Sequence, residues 1–198
     1  LFHELERYAV ADGVKPAALQ SIQVQDLPRV AQWASEHGLA VIPIDMMVNA
    51  PYSSRATKPK PGQPAVFRAA VAKPDVAKEL VAAELAKSDE DVGRLLGYPK
   101  CCRDFFAEVW GRHIDTTWHS AWLTKGSSYD AVPETCETLE VSGPPEANVL
   151  LRWVGVRAVS HLPHAFDCEE TVEFGKKLIE VGRAYGFAEE MDWLLEMV

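Results

Sequence analysis

The stretch DLPRVAQWASEHGLAVIPI, residues 26–44, holds the clearest fold signal in the sequence. Asp26 is a favourable N-cap, Pro28 fits the first turn of a helix, and Gly38 is typical of the residue that follows a helix. The apolar run after Gly38 predicts a buried strand, and Pro43 within it favours the edge of a sheet. A helix that leads directly into a strand predicts an α/β or α+β fold.

Further elements extend this pattern along the chain. Residues 65–72 (AVFRAAVA) predict a second strand, residues 156–160 (VRAVS) predict a third, and residues 167–198 predict mainly helix. The predicted fold is therefore α/β or α+β, with a small mixed sheet and packed helices. We expect a single compact domain, with an N-terminal α/β part at 1–73 and a mainly helical part at 74–198.

The composition is that of a soluble globular protein. The chain has 198 residues, a formal net charge of −9, 47% hydrophobic residues and four cysteines. Such a chain can form a core without a staple, and its acidity predicts no nucleic-acid partner. The lack of a long apolar run predicts no membrane partner, and the few cysteines predict a reducing, cytoplasmic location. We also expect the native chain to extend beyond Leu1 and Val198.

Residues 74–110 predict three helices in succession. Pro74 opens the first, and Ser88, with an aspartate three residues later, resembles a capping box at the start of the second. Gly97 ends the second helix, and Pro99 starts the third. In the third helix apolar residues recur at helical spacing and predict one buried stripe of Cys102, Phe105, Phe106, Val109 and Trp110.

Two segments carry the chemistry of the sequence: GYPKCCRD, residues 97–104, and HLPHAFDC, residues 161–168. Each has a proline in its approach and a cysteine in the first turn of a predicted helix. Cys101 falls near the third helical position, and Cys168 is the first if Asp167 is the N-cap. The N-terminus of a helix carries partial positive charge, which lowers the pKa of a thiol. The shared arrangement predicts that the two segments converge around one site.

The second segment also supplies two imidazoles, because His161 and His164 precede Cys168 at spacing H-x2-H-x3-C. With Cys101 or Cys102 from the first segment, the set has two thiolates and two imidazoles, which suits a tetrahedral zinc ion or an iron ion. All five residues are therefore candidate metal ligands. The structural alternatives are a Cys102 that packs as a small apolar side chain and a plain surface loop around the two histidines.

The predicted strand at 156–160 gives this loop a favourable position. Open α/β sheets bind ligands beyond the carboxyl ends of their strands, and the loop 161–168 directly follows such an end. The sequence therefore places the metal site at the edge of the predicted sheet.

Other polar residues are weaker candidates. His119, between two tryptophans, can serve as an acid–base group in a pocket or can simply pack. Cys136 has acidic neighbours that disfavour a thiolate, so it is left out of the site. The proline-rich loop 49–64 is expected to be exposed, and it can close over an anionic substrate or remain a solvated loop. Its basic patch consists of Arg55, Lys58 and Lys60.

The stretch LLGYPKCC (95–102), its following Phe105-Phe106 and the later H-x-P-x-x-x-x-C segment resemble an uncharacterised prokaryotic family of about this size. The resemblance covers roughly residues 90–198 and implies a second segment that more often reads H-x-P-C-x-x-x-C. His164 stands here where that pattern has a cysteine. The exchange keeps a residue that can bind metal, which favours a metal role and argues against an all-cysteine iron–sulfur cluster. The resemblance implies no particular reaction.

These observations predict a metal-dependent enzyme that acts on a small molecule, and an anion is the substrate that the basic loop would favour. It would use iron or zinc for redox or metal-activated chemistry, with Cys101 and His119 as its catalytic residues. Two alternatives remain open. In the first, four protein ligands saturate a structural zinc ion. In the second, the protein is metal-free and Cys101 or Cys168 is a reactive thiol for redox exchange or sulfur transfer.

Overall fold

A computed structural model describes residues 1–48, 58–110, 143–147 and 157–196. The chain divides into two compact units. Residues 9–97 form one, which we call the sheet unit, and the helical unit consists of residues 1–8 and 98–198. The two-part division predicted between residues 73 and 74 stays a prediction.

The described residues form seven α-helices and one three-stranded sheet. The helices are α1 (Phe2–Ala11), α2 (Leu27–Glu36), α3 (Pro74–Ala86), α4 (Asp89–Leu95), α5 (Lys100–Trp110), α6 (Glu169–Ala184) and α7 (Ala188–Glu196). The strands are β1 (Ala17–Gln23), β2 (Ala40–Val48) and β3 (Ala65–Ala72). The predicted class, a small sheet with packed helices, is confirmed. Within the described ranges no helix combines the length and apolarity that a membrane span requires.

The sheet has the order β1-β3-β2, and both pairings are antiparallel. β1 and β2 therefore run in the same direction but never pair, because β3 lies between them. With α2 as their connection, β1 and β2 form a split β-α-β unit. A mixed sheet was predicted, but the described strands pair only in antiparallel fashion. The reason is that β3 lies between the two strands that run in the same direction.

Both faces of this sheet are covered by helices. On one face, Val30 and Ala34 of α2 pack in the apolar clusters that contain Ala18, Ala69 and Val71. On the other face, Arg68 of β3 reaches α3 and forms an ion pair with Glu84 at 2.7 Å. The central strand is thus buried on both sides, which accounts for its run of small apolar residues.

Most of the predicted elements of this unit are present. Gly38 ends α2 with φ of +67°, and the hydroxyl of Ser88 accepts a hydrogen bond from the Asp91 amide at the start of α4. Pro43 lies on an edge strand, beside a shift in the pairing register.

The prediction of a strand at 156–160, in the helical unit, is wrong, because its described residues, 157–160, form no strand.

The helical unit has an apolar core of its own. The stripe of α5 is buried at Cys102, Phe105 and Val109. In α6, Gly175 lies against the backbone of a short 3-10 turn, Pro145–Ala147: a Cβ atom built on Gly175 would be 2.2 Å from the Glu146 carbonyl oxygen. Further buried side chains are Leu5, Val172, Leu178, Ile179, Val181, Met191 and Leu194. Both α5 and α6, which carry the cysteines, thus bury an apolar face.

Candidate metal centre

The first cysteine segment forms a turn followed by the start of α5. Gly97 takes φ of +80°, a conformation that favours glycine. The carbonyl of Pro99 then accepts hydrogen bonds from the amides of Cys102 and Arg103, at 3.1 and 3.0 Å. Because α5 begins at Lys100, Cys101 and Cys102 are its second and third residues, one position earlier than predicted. The proline thus ends the turn and places both thiols in the first helical turn.

Gly97 offers a direct test of this turn. We expect Gly97→Ala to destabilise the protein by about 1–3 kcal/mol, because alanine is strained at positive φ. In addition, its Cβ would lie 2.9 Å from Cδ of Pro16. Gly13→Ala is the matched control, since its φ is also positive, +72°, but no atom lies within 4 Å of the added Cβ. Urea unfolding would measure both variants, and equal losses would contradict a role for the Pro16 contact.

The second cysteine segment is fixed by side chains of the first. The Tyr98 hydroxyl is 2.9 Å from the Ser160 hydroxyl, and its ring lies against the His161 imidazole with centroids 4.8 Å apart. At the other end of the segment, the Cys168 amide donates to the Ala165 carbonyl at 3.1 Å. Cys168 itself is the N-cap of α6, whereas Asp167 was predicted for that place and is exposed.

The two segments converge as predicted. The sulfur of Cys101 lies 3.9 Å from that of Cys102 and 3.7 Å from that of Cys168, and the Cys102 and Cys168 sulfurs are 3.8 Å apart. Nδ1 of His164 is 3.7 Å from the Cys102 sulfur. All four ligand atoms lie within 4.8 Å of one another. This group of three thiols and one imidazole, the Cys3His cluster, can hold a metal ion.

A buried threonine lies behind the cluster. The Thr171 hydroxyl donates to the Cys168 sulfur at 3.3 Å and is also 3.3 Å from the Cys102 sulfur. On its other side it is 3.0 Å from Nε2 of His161. His161, which was predicted as a metal ligand, therefore lies outside the group of four ligand atoms and contacts the cluster through Thr171. Thr171 was not identified from the sequence, although its place three residues after Cys168 puts it on the same side of α6.

Burial sets the protonation of the thiols. Cys102 is 2% exposed, and this burial raises its pKa far above the usual range despite its hydrogen bond with Thr171. Burial also raises the pKa of Cys101, and the hydrogen bond with Cys168 raises it further. The expectation that helix N-termini lower these pKa values is wrong for Cys101 and Cys102. Desolvation of a thiolate outweighs the helix charge here, so both groups are neutral thiols without a metal.

Other candidates fall outside the cluster. His119, Cys136 and Arg55 lie outside the described residues. Lys58 and Lys60 are exposed, as predicted for their loop, and they belong to the sheet unit. All four cluster residues belong to the helical unit. The site therefore does not follow a strand of the described sheet, contrary to the prediction.

The fold and the site were also compared with known proteins. No protein-family model, no curated protein and no solved structure matches the chain. The geometry of the Cys3His cluster is thus the basis for assigning a function.

Proposed function

We propose that the protein binds one zinc ion through Cys101, Cys102, His164 and Cys168. The observation that carries this proposal is the spacing of the sulfurs, 3.7, 3.8 and 3.9 Å. In a tetrahedral site with Zn–S bonds of about 2.3 Å, two sulfur ligands lie about 3.8 Å apart. The three thiols therefore form one face of a tetrahedron of the size that zinc requires, and the imidazole of His164 supplies its fourth corner.

The donor set favours zinc over the other metals that were expected. Three thiolates and one imidazole form a soft, closed tetrahedral shell of the kind found in structural zinc sites. In a four-iron cluster each cysteine binds a different iron atom, which keeps the sulfurs farther apart than in this cluster. A single iron ion remains the alternative metal, and elemental analysis distinguishes it from zinc.

A zinc ion in this place would connect two parts of the helical unit. Cys101 and Cys102 come from the first turn of α5, and Cys168 caps α6. Four protein ligands saturate zinc, so the primary role we propose is structural, the first of the alternatives that the sequence leaves open. The raised pKa of Cys101 disfavours the metal-free alternative at that residue, because a neutral thiol is a poor nucleophile.

Metalloenzyme activity is the second candidate function, and one observation favours it. Cys101 is partly exposed, whereas Cys102 and Cys168 are buried. A metal-bound sulfur that reaches the surface can meet a substrate, even when the metal itself is fully coordinated.

Metal analysis tests the proposed zinc site. We expect one zinc ion per chain after purification without chelators, and an intense sulfur-to-metal absorption band when cobalt replaces zinc. His164→Ala should lower the stoichiometry or affinity because it removes one of four ligands. His37→Ala is the matched control, since His37 is exposed, belongs to the sheet unit, and has its Nδ1 at 2.8 Å from the Trp33 carbonyl. Iron in place of zinc would contradict the choice of metal, and absence of tight binding would contradict the site.

A further inference from the structure

We propose that Cys101 is the reactive sulfur of the zinc centre and accepts an alkyl group from a positively charged donor of the sulfonium class. The inference rests on the proposed zinc site and adds a chemical activity to it. It is carried by differences among the three sulfurs in exposure, hydrogen bonding and neighbouring charge.

The first difference is exposure. Cys102 is 2% exposed and Cys168 is 6% exposed, whereas Cys101 is partly exposed at the start of α5. A reagent in solution can therefore approach only one of the three sulfurs without a change in structure. Binding to zinc keeps a cysteine deprotonated, so the accessible sulfur would be a thiolate.

The second difference is hydrogen bonding. The buried hydroxyl of Thr171 lies 3.3 Å from the sulfurs of Cys102 and Cys168. A hydrogen bond to a thiolate draws electron density from sulfur and makes it a weaker nucleophile. Within the described part of the chain, the Cys101 sulfur contacts the two other thiols and a carboxylate oxygen of Glu170 at 3.8 Å. A carboxylate cannot donate a hydrogen bond, so Glu170 does not weaken the Cys101 thiolate in the way that Thr171 weakens the other two.

The third difference is charge. Zinc with three thiolates and a neutral imidazole carries one net negative charge, and the Glu170 carboxylate adds another beside Cys101. The nearest cation in sequence, Lys100, is paired with Asp104 at 2.7 Å. The surroundings of Cys101 therefore attract a positively charged donor and repel an anion. The anionic substrate expected from the basic loop is not favoured at this sulfur.

The reaction follows from these properties. The Cys101 thiolate attacks the alkyl carbon of a sulfonium ion and forms a sulfur–carbon bond. The carbon–sulfur bond of the donor breaks, and its electron pair remains on the departing neutral sulfide. One negative and one positive charge are neutralised, so no oxidant or proton donor is required. Cys101 becomes a thioether, which is a weaker zinc ligand than a thiolate.

Site-resolved alkylation of the zinc-loaded full chain tests the proposal. Trimethylsulfonium serves as the cationic probe, and iodoacetamide and iodoacetate serve as a neutral and an anionic pair of similar size. Cleavage before aspartates releases residues 91–103, in which fragment ions distinguish Cys101 from Cys102. We expect Cys101 to react about tenfold faster than Cys102 or Cys168. We also expect the ratio of the iodoacetamide rate to the iodoacetate rate to be larger at Cys101 than it is for glutathione.

Two variants separate the causes. Glu170→Gln keeps the size of an exposed side chain and should narrow the preference for iodoacetamide over iodoacetate at Cys101 about fivefold. Thr171→Val should raise the alkylation rate of Cys168 a few-fold while zinc is retained, but Cys168 should remain slower than Cys101 because it is still buried. Thr171→Ser should return the Cys168 rate to its original value. Circular dichroism and zinc content are measured on the same samples.

The outcomes distinguish this inference from the function on which it rests. A protein that binds no zinc overturns both. A zinc-loaded protein that is labelled evenly, or first at Cys102 or Cys168, overturns the role of Cys101 and leaves the zinc site intact. If the ratio of the two iodo-reagent rates at Cys101 equals the ratio for glutathione, the cationic substrate class is overturned.

Discussion

Replacing Cys102 by serine is expected to weaken zinc binding by about 10²–10³-fold. Binding of structural zinc contributes about 10–16 kcal/mol, so one of four ligands accounts for about 2.5–4 kcal/mol, and each 1.4 kcal/mol is a factor of ten. The Cys102 sulfur lies 3.9 and 3.8 Å from the two other sulfurs and 3.7 Å from Nδ1 of His164. Competition with a chromophoric chelator measures the loss.

Folding must be separated from affinity in this experiment, because Cys102 also packs in the apolar stripe of α5. Cys101→Ser removes a ligand that is partly exposed and should show a similar loss of affinity with a smaller packing cost. Cys136→Ser is the control, because it also removes a cysteine but one that the sequence does not place in the site. Unchanged affinity in both Cys101→Ser and Cys102→Ser, with native circular dichroism, would show that the ligands are wrongly assigned.

Acidification is expected to release zinc steeply. Burial raises the pKa of Cys101 and of Cys102, so both carry a proton at neutral pH when no metal is bound. Zinc must displace these two protons. Its dissociation constant should therefore rise at least about 100-fold for each unit by which the pH falls. Zinc titrations at several pH values and the protons released into a weakly buffered solution measure the same quantity independently.

The metal-free protein should respond to pH in the opposite direction. A thiol whose pKa is raised by folding stabilises the folded state below the unfolded-state pKa of about 8.5. This stability is lost as the pH rises above that value. Metal-free protein is thus expected to lose stability in alkali, while the zinc-bound protein loses its metal in acid. Zinc affinity that does not change with pH would contradict thiolate ligation by Cys101 and Cys102.

The location of the site was predictable because local signals and metal chemistry agree. A proline before a cysteine at a helix start appears in both segments, and thiols with an imidazole at short spacing favour one shared ion. The sequence left open whether Cys101 or Cys102 contributes. In the structure both sulfurs belong to the cluster, because they occupy the second and third positions of the same helical turn.

The surroundings of the site were less predictable, because they depend on three-dimensional packing. The spacing between Cys168 and Thr171 indicates one neighbouring sulfur, but nothing in the local sequence marks Thr171 as a neighbour of Cys102 as well. Likewise, the charge at a helix N-terminus is a local property, but the burial that overrides it at Cys102 arises from the assembled core. Sequence patterns therefore predicted four of the residues that cluster, but not the buried groups that surround them.

The sheet shows the same limit. The α2–β2 pair and β3 were predicted from capping residues and apolar runs, and both are present. β1, with the sequence AALQSIQ, was not predicted, because it lacks the run of β-branched residues that marks a strand. It forms because its small and apolar residues pack against β3 and the α2 face. Residues 157–160 had a better local pattern but form no strand.

The distance along the chain between the two halves of the cluster has an entropic consequence. Cys101 and Cys168 contact each other across a separation of 67 residues. Closing a flexible loop costs free energy that grows only with the logarithm of its length, so doubling that length adds only about 0.6 kcal/mol. A zinc ion that binds with about 10–16 kcal/mol can tolerate a large insertion between its two ligand segments. Relatives of this chain should therefore be recognisable by the paired ends, whatever length of polypeptide evolution has placed between them.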